Sequence, residues 1–145
     1  MKLRVAWIQS KPGKDKSSAI QQLTADYLKR IARYTPVETH ELASEGVLAK
    51  LAPKAFFIAL DSRGKQMSSE ELAEFILEHQ NRGTQQILFV VGGADGFSPD
   101  TLRHANLKLS LGKMTLPHEL ARVVLLEQLY RAFTILKGHP YHTGH

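Results

Sequence analysis

The sequence predicts a single α/β domain: one parallel sheet with helices on both faces. Three observations carry that prediction. Five short strand-like runs alternate with helical patterns, the order that a parallel sheet and its crossover helices produce. One run, Ala55–Leu60, is apolar at every position, which suits a parallel strand covered on both sides. A length of 145 residues is enough to bury a core and too short for a second domain.

Lys2–Ile8 reads as the first strand. A loop rich in Lys and Gly leads to a long helix, about Ser17 to Tyr34. Its Ile20, Leu23, Tyr27, Leu28 and Ile31 recur at three- and four-residue spacing, the stripe a core-facing helix needs. Pro36 ends it. Val37–Leu42 alternates apolar with polar and reads as an edge strand, followed by a weak short helix near Val47–Leu51. After the apolar run Ala55–Leu60, Ser68 and Glu71 form a capping-box pattern opening a helix to about Arg82, before Gly83. Gln86–Val91 is another buried strand. Ser98-Pro99 starts a short helix to about Ala105. Leu107–Leu111 is the last strand, and Pro117 opens a final helix reaching Lys137.

That final helix is apolar around nearly its whole circumference, from Leu120 through Val123–Leu126, Leu129, Tyr130, Phe133, Ile135 and Leu136. Such a helix must be covered on two sides. The pattern predicts a homodimer through this helix; the other reading is a centrally buried helix. Trp7 and Phe56-Phe57 read as core.

Composition narrows the chemistry. There is no cysteine, which removes disulfides, thiolate metal sites and cysteine nucleophiles, and suits a reducing cytoplasm. No apolar run is long enough to span a membrane, and no signal-peptide pattern opens the chain, so a cytoplasmic protein without a membrane partner is expected. Residues 1–60 hold ten Lys/Arg against five Asp/Glu, whereas residues 61–145 hold nine of each; the net charge of +5 therefore comes from the first part. Lys11, Lys14, Lys16, Lys29, Arg30 and Arg33 are its densest stretch. A one-sided basic field suits a phosphate backbone; a solvated face without a partner is the other reading.

Ligands of open parallel sheets bind at the carboxyl ends of strands. Three loops qualify: Leu60-Asp61-Ser62-Arg63-Gly64-Lys65, Gly92-Gly93-Ala94-Asp95-Gly96-Phe97, and Leu111-Gly112-Lys113-Met114-Thr115-Leu116-Pro117-His118. None has the G-x-G-x-x-G spacing, and no G-K-[ST] follows, which disfavours ordinary dinucleotide and P-loop chemistry. Together with Leu129-Tyr130-Arg131-Ala132 and Gly138-His139-Pro140-Tyr141-His142, these loops resemble the RlmH family, the ribosomal large-subunit pseudouridine methyltransferases of the SPOUT class. The resemblance covers essentially the whole chain.

The resemblance implies a C-terminal trefoil knot, a homodimer packed through knot helices, and S-adenosyl-L-methionine as methyl donor with no metal. It implies a cofactor pocket lined by Leu60, Gly92 or Gly93, and Leu111, Gly112, Lys113, Met114, Thr115 and Leu116. The implied substrate is 23S rRNA in the ribosome, at N3 of a pseudouridine in the helix 69 loop. Similar proteins often carry Pro and Glu where this chain has Ala94 and Asp95. Two other functions are weighed: a non-enzymatic nucleotide-binding module docking on ribosomal RNA, and a SPOUT methyltransferase acting on another RNA.

His118, Arg131, Tyr141 and His142 are the candidate catalytic residues. His118 contacts RNA or helps remove the N3 proton, or else bonds a backbone carbonyl at its helix start. Arg131 holds a phosphate or the target base, or pairs with Glu127 one turn earlier; Arg122 poses a similar choice, weighted to structure or the dimer interface. In the tail, Tyr141 suits stacking on an unpaired base and His142 suits giving or taking a proton. His139, His142 and His145 recur at three-residue intervals, but no carboxylate accompanies them, so metal binding is disfavoured. Glu70, Glu71, Glu74 and Glu78 read as a solvated face.

Overall fold

The computed structural model describes residues 1–9, 18–51 and 53–143; Lys11, Lys14, Lys16, Ser17 and His145 lie outside the described residues. Among the described residues, five strands form one parallel sheet. They are β1 (Lys2–Ile8), β2 (Val37–Leu42), β3 (Phe56–Gln66), β4 (Gln86–Val91) and β5 (Leu107–Ser110), in the spatial order β2-β1-β4-β3-β5. The helices are α1 (Ser18–Ile31), α2 (Leu48–Leu51, entered through a 3-10 turn), α3 (Ser69–Arg82), α4 (Pro99–His104) and α5 (His118–Leu136).

Alternation along the strands builds the two cores. Leu3, Val5 and Trp7 of β1, with Ile87, Phe89 and Val91 of β4, share one cluster with Ile31, Ile76, Leu125, Leu129 and Phe133 from α1, α3 and α5. Ala6, Ile8, Leu88 and Val90 point the other way, to Leu48, Leu51, Phe57 and Phe97. Helices therefore cover both faces. Phe56 and Phe57 fall on opposite faces, and Trp7 is buried, as the core reading expected.

α3 keeps its expected bounds: Ser68 Oγ accepts the Glu71 backbone N–H at 3.0 Å while Glu71 Oε1 accepts that of Ser68 at 2.8 Å. Glu70, Glu71, Glu74 and Glu78 are all exposed, as expected, although Glu71 also closes this box and Glu70 also meets the tail. α1 stops three residues short of Tyr34; Arg33 and Tyr34 donate to Arg30 and Ile31 in a turn, because Thr35 precedes proline and is kept out of the helical region.

The largest departure is β3, which runs six residues past Leu60. It pairs with β5 through Leu60↔Leu109, loops out residues 61–64, and resumes at Lys65↔Leu109 and Gln66↔Ser110. The loop lies so close on β5 that a Cβ at Gly64 would stand 2.6 Å from the carbonyl carbon and oxygen of Lys108.

α5 packs between α1 and α3 over the sheet, so much of its apolar circumference is covered within one chain. In the middle of the helix its neighbours are its own α1 and α3, in line with the centrally buried reading there. Leu120 in the first turn stays 46% exposed.

Candidate cofactor cavity and active-site tail

A cavity of about 590 Å³ opens at the carboxyl ends of β3, β4 and β5, within the ~300–1,000 Å³ usual for small-molecule sites. Leu60, Gly92, Gly93, Leu111, Gly112, Met114, Thr115 and Leu116 line it, together with His118. Lys113 does not, and is exposed. Asp61, Ser62, Val91, Ala94, Gly96, Leu109, Pro117 and Ala121 complete the wall, while Asp95 is exposed and outside it.

The wall is preformed by backbone packing. The turn after β4 closes on itself, with Gly96 N–H donating to the Gly93 carbonyl at 3.0 Å. A Cβ at Gly92 would meet Gly96 and the Phe97 ring at 3.3 Å. In the loop after β5, Gly112 has φ of +145°, a region L side chains rarely adopt. Ser110, nearly fully buried, braces it: its hydroxyl donates to the Gly112 carbonyl at 2.9 Å and accepts the Gly112 N–H at 3.1 Å. Sequence reasoning passed over Ser110, which carries no signal beyond its place at a strand end.

The other candidates form a separate cluster at the far end of α5. Arg131 Nη2 donates to Glu127 Oε2 at 2.9 Å, with Nε 3.2 Å from both carboxylate oxygens. The tail folds back onto this pair. Tyr141 Oη donates to Glu127 Oε2 at 2.9 Å, its ring lies 4.8 Å beneath the Arg131 guanidinium, and its edge meets Tyr130 at 4.7 Å. Arg131 Nη1 reaches His142 Nδ1 at 3.0 Å, and His142 Nε2 stands 3.3 Å from Glu70 Oε1 on α3. Burial and the bond to Glu127 push the Tyr141 hydroxyl up to about 12, so it stays protonated at neutral pH. The Glu127 hydrogen bond raises Arg131 further above its ordinary value.

Arg131 thus pairs with Glu127, the second of the two readings the sequence offered, and also touches the tail. Glu127 was legible only as its i+4 partner, and Glu70 is exposed as expected but also stands beside His142. Arg122 is buried with its guanidinium 4.0 Å over the Trp7 ring, a packing position. His118 is not brought to this cluster: thirteen residues of helix put it about 20 Å from Arg131 and on a different face. Among the described residues no three potential metal ligands converge.

This geometry meets known proteins at several levels. Residues 1–142 match the family described as "Predicted SPOUT methyltransferase". The chain belongs to the SPOUT methyltransferase family. It is 55% identical to the Ribosomal RNA large subunit methyltransferase H of Koribacter versatilis, over the whole of both chains. It is 41% identical to the protein of that name from Carboxydothermus hydrogenoformans, covering 90% of this chain and 94% of the relative. A probable methylase family protein from Haemophilus influenzae shares the fold, with TM-score 0.64, 13% identity, and coverage of 98% and 70%. So does a putative methyltransferase from Legionella pneumophila in complex with the bound cofactor SAM (TM-score 0.56, 15% identity, 91% and 66% covered). In this SPOUT methyltransferase, the glycine turn after β4 and the loop after β5 face each other across the cavity, and the tail cluster lies at the opposite end of α5. No helix among the described residues is long and apolar enough to cross a membrane.

Proposed function

We propose that this protein transfers the methyl group of S-adenosyl-L-methionine to N3 of a pseudouridine in the helix 69 loop of large-subunit ribosomal RNA. The observation that carries the reading is the cavity: eight of the nine residues expected to hold the donor line one preformed space at the strand ends. The residues fit the group. Leu60 and Leu116 offer apolar walls to a flat ring. A Cβ at Gly93 would meet nothing nearer than 3.9 Å, and one at Gly112 nothing within 4 Å, so a ligand has room to come close to both backbones. When bound, the donor supplies an electrophilic methyl on a sulfonium, so no protein nucleophile or metal is called for.

The protein's work is then positioning, which supplies up to ~7–11 kcal/mol in favourable cases, against ~10²–10⁴ in rate from a placed acid or base. Support for an RNA substrate comes from the names of the relatives and from the end of α1 and the turn after it, where Lys29, Arg30 and Arg33 are exposed and Arg30 stacks over Tyr27 and Tyr130 at 5.7 and 5.6 Å. The protein acts in the cytoplasm, where ribosomes are its partner.

The working unit is a homodimer. Cavity and tail are about 20 Å apart in one chain, and a second copy brings one chain's tail toward the other's cavity. Met114, Leu116 and Leu120 are exposed beside the cavity, at 85%, 37% and 46%, and supply an apolar contact. The trefoil knot belongs to the same proposal, supported by the passage of Gly64 over the β5 backbone.

Mass spectrometry of 23S rRNA nucleosides from cells lacking the protein, with and without its return on a plasmid, tests the function. Loss and recovery of one methylated pseudouridine is expected. An unchanged nucleoside profile overturns the substrate, and a change in another RNA reassigns it. Sedimentation at micromolar concentration tests the dimer; a folded monomer would defeat it.

A further inference from the structure

A guanidinium carries only donors. Because Arg131 Nη1 lies 3.0 Å from His142 Nδ1, that ring nitrogen must accept, and a neutral His142 carries its proton on Nε2. Nε2 is shielded from solvent and has no aligned hydrogen-bond partner among the described residues. Its polar neighbour, Glu70 Oε1, attracts it from 3.3 Å without hydrogen-bond alignment. The arginine that sets this tautomer is itself held by Glu127, whose Oε2 also takes the Tyr141 hydroxyl. One carboxylate on α5 thus fixes both residues that frame His142. The charged groups around the imidazole are Arg131 and, behind it, Glu127 from α5, and Glu70 from α3; Tyr141 precedes it in the tail.

We infer that Glu127 is a positioning residue which, through Arg131, presents His142 as an Nε2–H donor, once the exposed Glu70 side chain moves aside, to a carbonyl oxygen beside the nitrogen that is methylated. The inference rests on the reading of the tail as the part that meets a uracil-type ring. In such a ring N3 lies between two carbonyls, and loss of its proton spreads negative charge onto their oxygens. A preorganised donor at one oxygen stabilises that charge. His142 is then not the base: the N3 proton leaves to bulk water, and the nitrogen pair forms the new N–C bond as the S–C pair returns to sulfur.

Nitrogen-15 spectra of the full-length protein with labelled histidine, at mildly alkaline pH, read the tautomer without any turnover; His142→Gln assigns the resonance. Wild type should show His142 protonated on Nε2, and protonation on Nδ1 overturns the inference. Glu127→Gln should mix the tautomers and lower kcat by about tenfold or more, while the thermal shift produced by S-adenosylmethionine is unchanged. Wild-type kcat in that variant overturns the positioning role. His142→Gln, which keeps an N–H near the Nε2 place but cannot act as a base, should turn over well above His142→Ala. Parity between the two overturns the donor assignment. A wild-type protein that methylates no ribosomal RNA would defeat the functional reading, with the tautomer spectrum still able to uphold or overturn the arrangement at His142.

Discussion

A methyl group added at Gly64 would land 2.6 Å from the backbone of Lys108, whereas one added at Gly93 would meet nothing closer than 3.9 Å. The two glycines should therefore fail in different assays. Gly64→Ala should destabilise the fold by roughly 1–3 kcal/mol, because a strand backbone cannot step aside as a flexible side chain can; urea unfolding measures it. Gly93→Val should keep the wild-type unfolding midpoint but lose affinity for S-adenosylmethionine in calorimetry, as its branched side chain occupies the cavity. A stable donor-binding Gly93→Val would remove that turn from the cofactor site. His79 poses a different test at the same scale. Its ring is buried between Phe56 and Phe75, with Nδ1 2.7 Å from Thr84 Oγ1, and burial lowers its pKa. Between the depressed folded value and the ordinary ~6.5 of the unfolded chain, the unfolded state binds more protons. Stability should fall as pH drops below about 6.5, then level off below the folded value. His79→Gln should flatten that slope in parallel unfolding experiments at neutral and mildly acidic pH; an identical slope would place the acid sensitivity elsewhere.

Among the elements, α3 is held by local chemistry and β3 by distant chemistry, and that difference governs what could be read in advance. Ser68→Ala should cost about 1 kcal/mol, since it removes the acceptor for Glu71 N–H and frees the partner carboxylate. Glu71→Ala should cost a comparable amount, with the double variant losing less than the sum; strict additivity would mean that the two bonds are independent. Ser68, Glu71 and Gly83 announced that helix because its start and stop depend on neighbours in the chain. Residues 61–66 carry no alternating apolar pattern, so the second half of β3 was invisible: its pairing is dictated by β5, more than forty residues on. The cavity was legible for a similar reason. Its lining comes from runs of neighbouring residues at strand ends, with Lys113 the exception. The tail cluster was only half legible. Glu127 and Arg131 share a helix face at i and i+4, but no periodicity reveals that Glu70 and His142 meet across two elements.

For the whole molecule, the separation of cavity and tail makes a prediction about pairs of chains. Gly93→Val leaves a chain with a good tail and a poor cavity, and Tyr141→Ala does the reverse. If each cavity uses the other chain's tail, a mixed dimer regains one complete site. Equal co-expression should then restore roughly a quarter of wild-type turnover, by the statistics of two-fold assembly. No restoration, with mixed dimers present by mass spectrometry, would mean that each chain works with its own tail. Wild-type turnover by Tyr141→Ala alone would remove the tail from catalysis.

The place of α5 carries a consequence for how the protein comes into being. This helix is synthesised after every strand, yet Leu125, Leu126, Leu129 and Phe133 lie at the centre of the larger core and join residues as early as Leu3. A nascent chain that stops short of it exposes the faces of α1, α3 and the sheet that it will later fill. Such contacts bridge more than a hundred residues, and loops of that length close slowly. The domain therefore consolidates only after α5 has left the ribosome, and the protein that we propose modifies ribosomes depends on each ribosome that makes it to keep an unfinished, sticky intermediate apart from its neighbours until then.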